Sequence, residues 1–129
     1  MQYIKHYWIN LQSGNYSCQE NPIERRHPEA EFPGLDVKIW MQDANGIDVC
    51  LSEVPDTIPV PEMYESSTST KKCVQVLTEV EYNSVATPYF ESQQLSGEAL
   101  MEEDETLKVE KRAEASAKYQ EALTALHAL

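Results

Sequence analysis

The side chains best able to do chemistry in this chain are three cysteines, Cys18, Cys50 and Cys73, and three histidines, His6, His27 and His127. Thiolate and imidazole together can make a zinc site, or a nucleophile with its base. Zinc sites take their ligands in closely spaced pairs, and neither a Cys-x-x-Cys nor any comparable spacing occurs here. A Cys and His pair can be drawn on paper, but Cys50 and Cys73 fall in segments that read as strands, where a thiol packs as a small apolar group. The odd number of cysteines, in a chain without an export signal, agrees: all three are expected to be reduced and metal-free. The acidic run from Glu102 to Glu105 has the charge of a calcium loop but neither its alternating ligands nor its turning glycine, so it reads as a solvated helix face. Phosphate-cradling glycines, a Gly-x-Ser-x-Gly elbow and a His-Glu-x-x-His helix are all missing. The residues point to no catalytic centre, cofactor or metal site, and the chain reads as a non-enzyme.

Charge excludes further classes. The 129 residues carry 22 acidic and 10 basic side chains, a formal charge of −12. Nucleic acid binds proteins by releasing counterions to Lys and Arg, so no nucleic-acid partner is expected. Arg25, Arg26 and His27 form the one tight basic cluster, and it reads as a solvated loop. The first residues, Met1 to Trp8, are interrupted by Gln2, Lys5 and His6, so they do not read as a signal peptide, and no apolar run is long enough to span a membrane. The expected setting is cytoplasmic or virion-associated, with no membrane partner. Leu, Ile, Val and Phe number 10, 6, 9 and 2, about 21% of the chain, barely above the share at which charged chains remain disordered. So thin a core gives a physical reason to expect association with a second copy or another protein.

Positioning falls to strands first. Residues 3–9 are aromatic and β-branched, a turn follows at Gln12-Ser13-Gly14-Asn15, and strand character resumes over 16–20, which predicts a hairpin. Pro22, Pro28 and Pro33 make 21–34 a surface connection. The strongest β signal runs from Leu35 to Glu53 about Ala44-Asn45-Gly46. A three-residue loop with Gly46 in the left-handed region sets Met41 against Val49 and Ile39 against Leu51, a consistent apolar face. Lys38, Asp48 and Ser52 then share a wet face with Trp40 and Cys50, and Trp40 is either covered within the chain or part of a contact surface. Pro55, Pro59 and Pro61 lead into a Ser/Thr-rich stretch that reads as an arm and loop. Lys71 to Leu77 returns to strand, with Val74 and Val76 on one side.

At Thr78 the period changes from strand to helix. Thr78-Glu79-Val80-Glu81 is a capping box, with Leu77 and Tyr82 at the spacing of a hydrophobic staple. The helix is expected to end or kink at Pro88 and to weaken at Gly97. A second, Ala-rich helix is expected from Leu107, with Asp104–Lys108 and Glu114–Lys118 as supporting ion pairs. Ala115, Tyr119, Ala122, Leu126 and Leu129 form a short heptad seam, the expected interaction surface. The fold class is therefore α+β: antiparallel β hairpins in a domain over 1–77, then a helical region over 78–129 that packs on it or mediates association.

The passage from Val74 to Tyr82, a short strand running into Leu77-Thr78-Glu79-Val80-Glu81-Tyr82 and a charged helix, resembles a junction found in small accessory proteins of tailed bacteriophages, tail-fibre assembly chaperones among them. The resemblance implies a non-enzymatic role in virion structure or assembly. Two other classes stand beside it: a small enzyme or ligand-binding module with a motif-free site, and an acidic mimic of nucleic acid.

Overall fold

Tyr3, Ile4, Tyr7, Trp8 and Ile9 give the opening segment its strand character, and it forms β1 (Gln2–Asn10). In the computed structural model, which describes residues 1–10, 16–17, 35–57 and 70–129, the sheet is assembled on this strand. One edge of β1 pairs with β5 (Thr70–Leu77), from Tyr3↔Leu77 to Asn10↔Thr70. Its other edge pairs first with β4 (Asp48–Val54), from Gln2↔Val54 to His6↔Cys50, and then with β2 (Tyr16–Ser17) at Trp8↔Ser17 and Ile9↔Tyr16. Because Tyr3 to His6 are paired with both β4 and β5, those strands must lie on opposite sides. β3 (Asp36–Gln42) adds outside β4, completing a five-stranded antiparallel sheet. The expected turn at 12–15, the proline-rich connection, most of the proline arm and its loop, Cys18 and the Arg25-Arg26-His27 cluster lie outside the described residues.

The central hairpin follows its sequence. Met41 pairs with Val49, Ile39 with Leu51, and Gly46 takes φ +77° in the turn. Asp43 fastens that turn: its backbone N–H donates to the Ile47 carbonyl at 2.8 Å, and its carboxylate accepts from the backbone N–H groups of Asn45 and Ile47, each at 2.9 Å. A bulge between Val37 and Ile39 takes up Lys38, whose ammonium lies 2.7 Å from Asp36 and 3.7 Å from Glu53.

The expected wet face holds only in part: Lys38 and Asp48 are exposed, but two of its members are not. Cys50 and Ser52 are fully buried, as are Val49, Leu51 and Val54. Consecutive residues Val49 to Ser52 point to opposite faces and all are at 0% exposure, so β4 is covered on both faces, and the alternating polarity of its sequence does not mark an outside. Trp40, opposite Cys50, packs half-buried on the cluster of Ile4, Leu35, Cys50 and Val54.

Two helices follow, α1 (Glu79–Met101) and α2 (Glu105–His127). Both capping-box bonds form: the Glu81 N–H donates to Thr78 Oγ1 at 3.1 Å and the Thr78 N–H to Glu81 Oε1 at 2.9 Å. Leu77 and Tyr82 are buried, and the Tyr82 ring stacks on Tyr3 with centroids 4.4 Å apart. Burial, with the Glu53 charge behind it, pushes the Tyr82 phenol up to about 12. α1 runs on through Pro88 and Gly97, so the helix does not end at the proline. An internal proline removes one helical hydrogen bond and crowds the preceding turn, at about 3 kcal/mol. Pro88 is buried on the same face as Val85, Ser92 and Ala99, and that burial offsets the loss.

The acidic run is also corrected, for Glu102–Asp104 is where the helix breaks rather than a helix face. The Asp104 carboxylate caps α2, accepting from the N–H groups of Thr106 at 2.9 Å and Leu107 at 3.1 Å. It is therefore occupied as a cap rather than paired with Lys108. The chain divides into two compact units, Met1–Tyr82 and Asn83–Leu129, one helical turn beyond the strand-to-helix junction at Thr78. Replacing Thr78 with Ala removes the hydroxyl acceptor and is expected to lower stability by about 1 kcal/mol. Urea unfolding followed by circular dichroism measures it, and an unchanged midpoint would show that the cap contributes nothing.

Candidate functional site

The arrangement in the sheet that most resembles a catalytic one is a serine and a histidine in contact. In the β1–β4 ladder, His6 lies opposite Cys50 and Ile4 opposite Ser52, so His6 and Ser52 are diagonal neighbours on one face. His6 Nε2 and Ser52 Oγ are 2.6 Å apart and both residues are fully buried. A nucleophile hydrogen-bonded to its base has this geometry. The nucleophile must also reach a substrate, and neither residue has any exposed surface. Burial pushes the His6 imidazole down to about 3, so the ring is neutral at ordinary pH, and the pair serves to satisfy two polar groups within an apolar layer. In the sequence, His6 is one of six Cys and His side chains able to ligate a metal and Ser52 falls on the expected wet face. The strand pairing that joins them is not visible in either local segment.

The cysteines differ from expectation as well. Cys50 is disulfide-bonded, its partner outside the described residues, whereas Cys73 is a free, half-buried thiol. A buried strand thiol is inert only while no second thiol is brought to it, and chain spacing does not reveal that. Cys73 lines a pocket of about 260 Å³ with Lys5, Tyr7, Asp43, Val74 and Gln75. Among the described residues no group of three or more His, Cys, Asp or Glu side chains could hold a metal ion.

In the helical unit, α2 folds back along α1. Ser92 Oγ donates to the Ala115 carbonyl at 2.7 Å, the rings of Tyr89 and Tyr119 have centroids 6.4 Å apart, and Lys118 Nζ lies 3.0 Å from the Glu91 carboxylate. Near the break, Lys111 Nζ meets Glu102 at 2.8 Å, and that hydrogen bond holds the Glu102 carboxyl below its usual range. Lys118 turns to Glu91 and Glu121 rather than to the expected Glu114. Of the expected interaction residues, Ala115, Ala122 and Leu126 are buried within the chain, and Tyr119, Leu129 and Trp40 are half-buried. At Ala115 and Tyr119 the seam meets α1.

Two other features remain on the hairpin. A cleft of about 310 Å³ is lined by Ser92, Gln93, Ser96, Arg112, Ser116 and Tyr119, with Ala115 the one apolar residue. At the break between the helices, Leu100 is 75% exposed, Met101 85%, Leu107 45% and Val109 61%. No large apolar run marks them in the sequence, which is why periodicity passed over them. No helix among the described residues is long and apolar enough to cross a membrane. Comparison with known proteins found no matching family, no similar curated sequence and no similar solved structure. Fold and surface alone define the class: an α+β chain of one antiparallel sheet and one helical hairpin.

His6 makes stability depend on pH. The unfolded chain takes up a proton at this ring near pH 6.5, and the folded chain only near pH 3. Protonation therefore favours unfolding: the stability is present above about pH 6.5 and is lost as pH falls toward 3, at about 1.4 kcal/mol per unit. Urea midpoints from pH 7 to pH 4 for the parent and for His6→Gln are expected to converge as pH falls, since only the parent loses this contribution. Parallel curves would remove His6 as the cause.

Proposed function

We propose that the protein is a non-enzymatic structural or assembly component acting through protein contacts, with the hairpin tip as its docking surface. The observation that carries this reading is the exposure of Leu100, Met101, Leu107 and Val109 within ten residues of chain. Large apolar side chains left exposed close together in the chain favour an interaction surface. Glu98, Glu103, Glu105 and Glu110 are exposed among them. A second copy would bring the same carboxylates against these, which favours a different occupant: a protein segment that is apolar and basic.

The disulfide at Cys50 supports a working place outside the reducing cytoplasm, of which a virion is one. That agrees with the role implied by the likeness of the Leu77–Tyr82 junction to tailed-phage accessory proteins. The junction itself is a capping box available to any helix, so the reading stands on the exposed side chains.

The test is site-specific crosslinking in cells that make the protein, with a photoreactive residue in place of Met101 and, separately, of exposed Ala113. A discrete adduct from position 101 alone, weakened by Leu100→Ser, is expected. An adduct of twice the chain mass would replace the basic partner by a second copy. No adduct, or equal adducts from both positions, would sink the reading.

A further inference from the structure

The cleft on the hairpin differs in chemistry from the rest of the surface. The chain holds 22 acidic residues, yet no carboxylate lines this cleft. Each of its polar side chains carries an N–H or O–H, and Arg112 is its one charge. Ser92 already donates to the Ala115 carbonyl. Gln93, Ser96, Arg112, Ser116 and Tyr119 make no side-chain hydrogen bond or ion pair among the described residues. Their neighbours on α2 behave differently, for Lys111 holds Glu102 and Lys118 holds Glu91. The cleft thus gathers unengaged donors about a guanidinium that has no acid of its own.

The elements explain the gathering. Ala115 and Ser116 lie three and four residues after Arg112, and Tyr119 lies four and three residues after them, so the four occupy one face of α2. Ser92, Gln93 and Ser96 lie within one turn of the facing part of α1. The Ser92 bond to Ala115 holds the helices together there, and the small side chains leave the space between the longer ones open.

We propose that this cleft is an oxyanion site that takes a single carboxylate. The guanidinium offers two parallel N–H groups matched to the two oxygens of a carboxylate, and the hydroxyls and amide reach the remaining lone pairs. The surrounding field selects the ligand's charge. Asn83–Leu129 carries nine acidic and four basic residues, which opposes a phosphate dianion more strongly than a monoanion. The cleft is independent of the hairpin tip, and either can fail without the other.

The test is a titration followed by NMR, reading the Arg112 Nε–H and the amides of Ser96 and Ser116. Sodium acetate stands for a free acid, and acetyl-Gly-Glu-Gly-amide for a carboxylate on a partner chain. Saturable shifts with half-saturation in the millimolar range are expected, lost in Arg112→Gln and kept in Lys108→Gln, which removes the same charge away from the cleft. Tenfold tighter binding of the peptide assigns the carboxylate to a polypeptide, and equal binding assigns it to a free acid. The proposal is overturned by shifts that sodium chloride reproduces at equal ionic strength, by shifts that persist in Arg112→Gln, or by phosphate binding more tightly than acetate.

Discussion

His6 and Ser52 meet across the β1–β4 ladder with no exposed surface, and they can meet in one register alone. Moving β4 by one residue along β1 would turn Ser52 to the opposite face and leave a buried imidazole facing Leu51 or Glu53. A buried polar group left without its bond is penalised by roughly 1–3 kcal/mol, so the pair excludes the slipped sheet more strongly than it stabilises the correct one. The register of β1 then governs much else. β5 aligns on its other edge, Trp40 comes opposite Cys50 through β3, and Tyr3 is placed where Tyr82 stacks on it.

What could be read in the sequence was what short stretches decide for themselves. Asn45-Gly46 and the apolar alternation on either side contain all that the central hairpin needs, and Thr78 with Glu81 contains all that the start of α1 needs. The α+β class follows from those two segments. What could not be read depends on residues distant in the chain. β4 looks half-polar, yet it is flanked on both sides, and Ser52 is tolerated inside because a histidine from another strand completes it. Pro88 reads as a helix end or kink because its local effect is adverse, and the helix continues through it with Val85, Pro88, Ser92 and Ala99 on one buried face. The disulfide at Cys50 belongs to the same kind. The heptad seam was seen, but periodicity cannot say whether its partner is α1 or another molecule.

Electrostatics organises the helical hairpin in detail although the chain as a whole repels itself. Carboxylates are used one at a time as structural acceptors: Asp104 as a cap, Glu102 on Lys111, Glu91 on Lys118. The two surface ion pairs contribute little each, but with the Asp104 cap they mark where α1 stops, where α2 starts and how the two lie together. Of the carboxylates left over, Glu98, Glu103, Glu105 and Glu110 lie close in the chain to the exposed apolar residues of the tip. Net charge of one sign opposes like-charged surfaces at these apolar side chains, and so discriminates among partners.

The two units thus resolve their polar groups in opposite ways. In the sheet, the one Ser–His contact that resembles catalytic machinery is sealed, and its closure makes it structural. In the hairpin, polar groups that could have been matched by any of many nearby acids are left open around Arg112. Seams of Ala and Ser bring two helices close together, and wherever a long side chain interrupts them a gap must form beside it. Glu98 and Glu114 belong to the same two helices, yet neither lines the cleft. The cleft instead keeps its donors unengaged, and a surface that withholds its own acids from its own arginine is arranged to receive an acid from elsewhere.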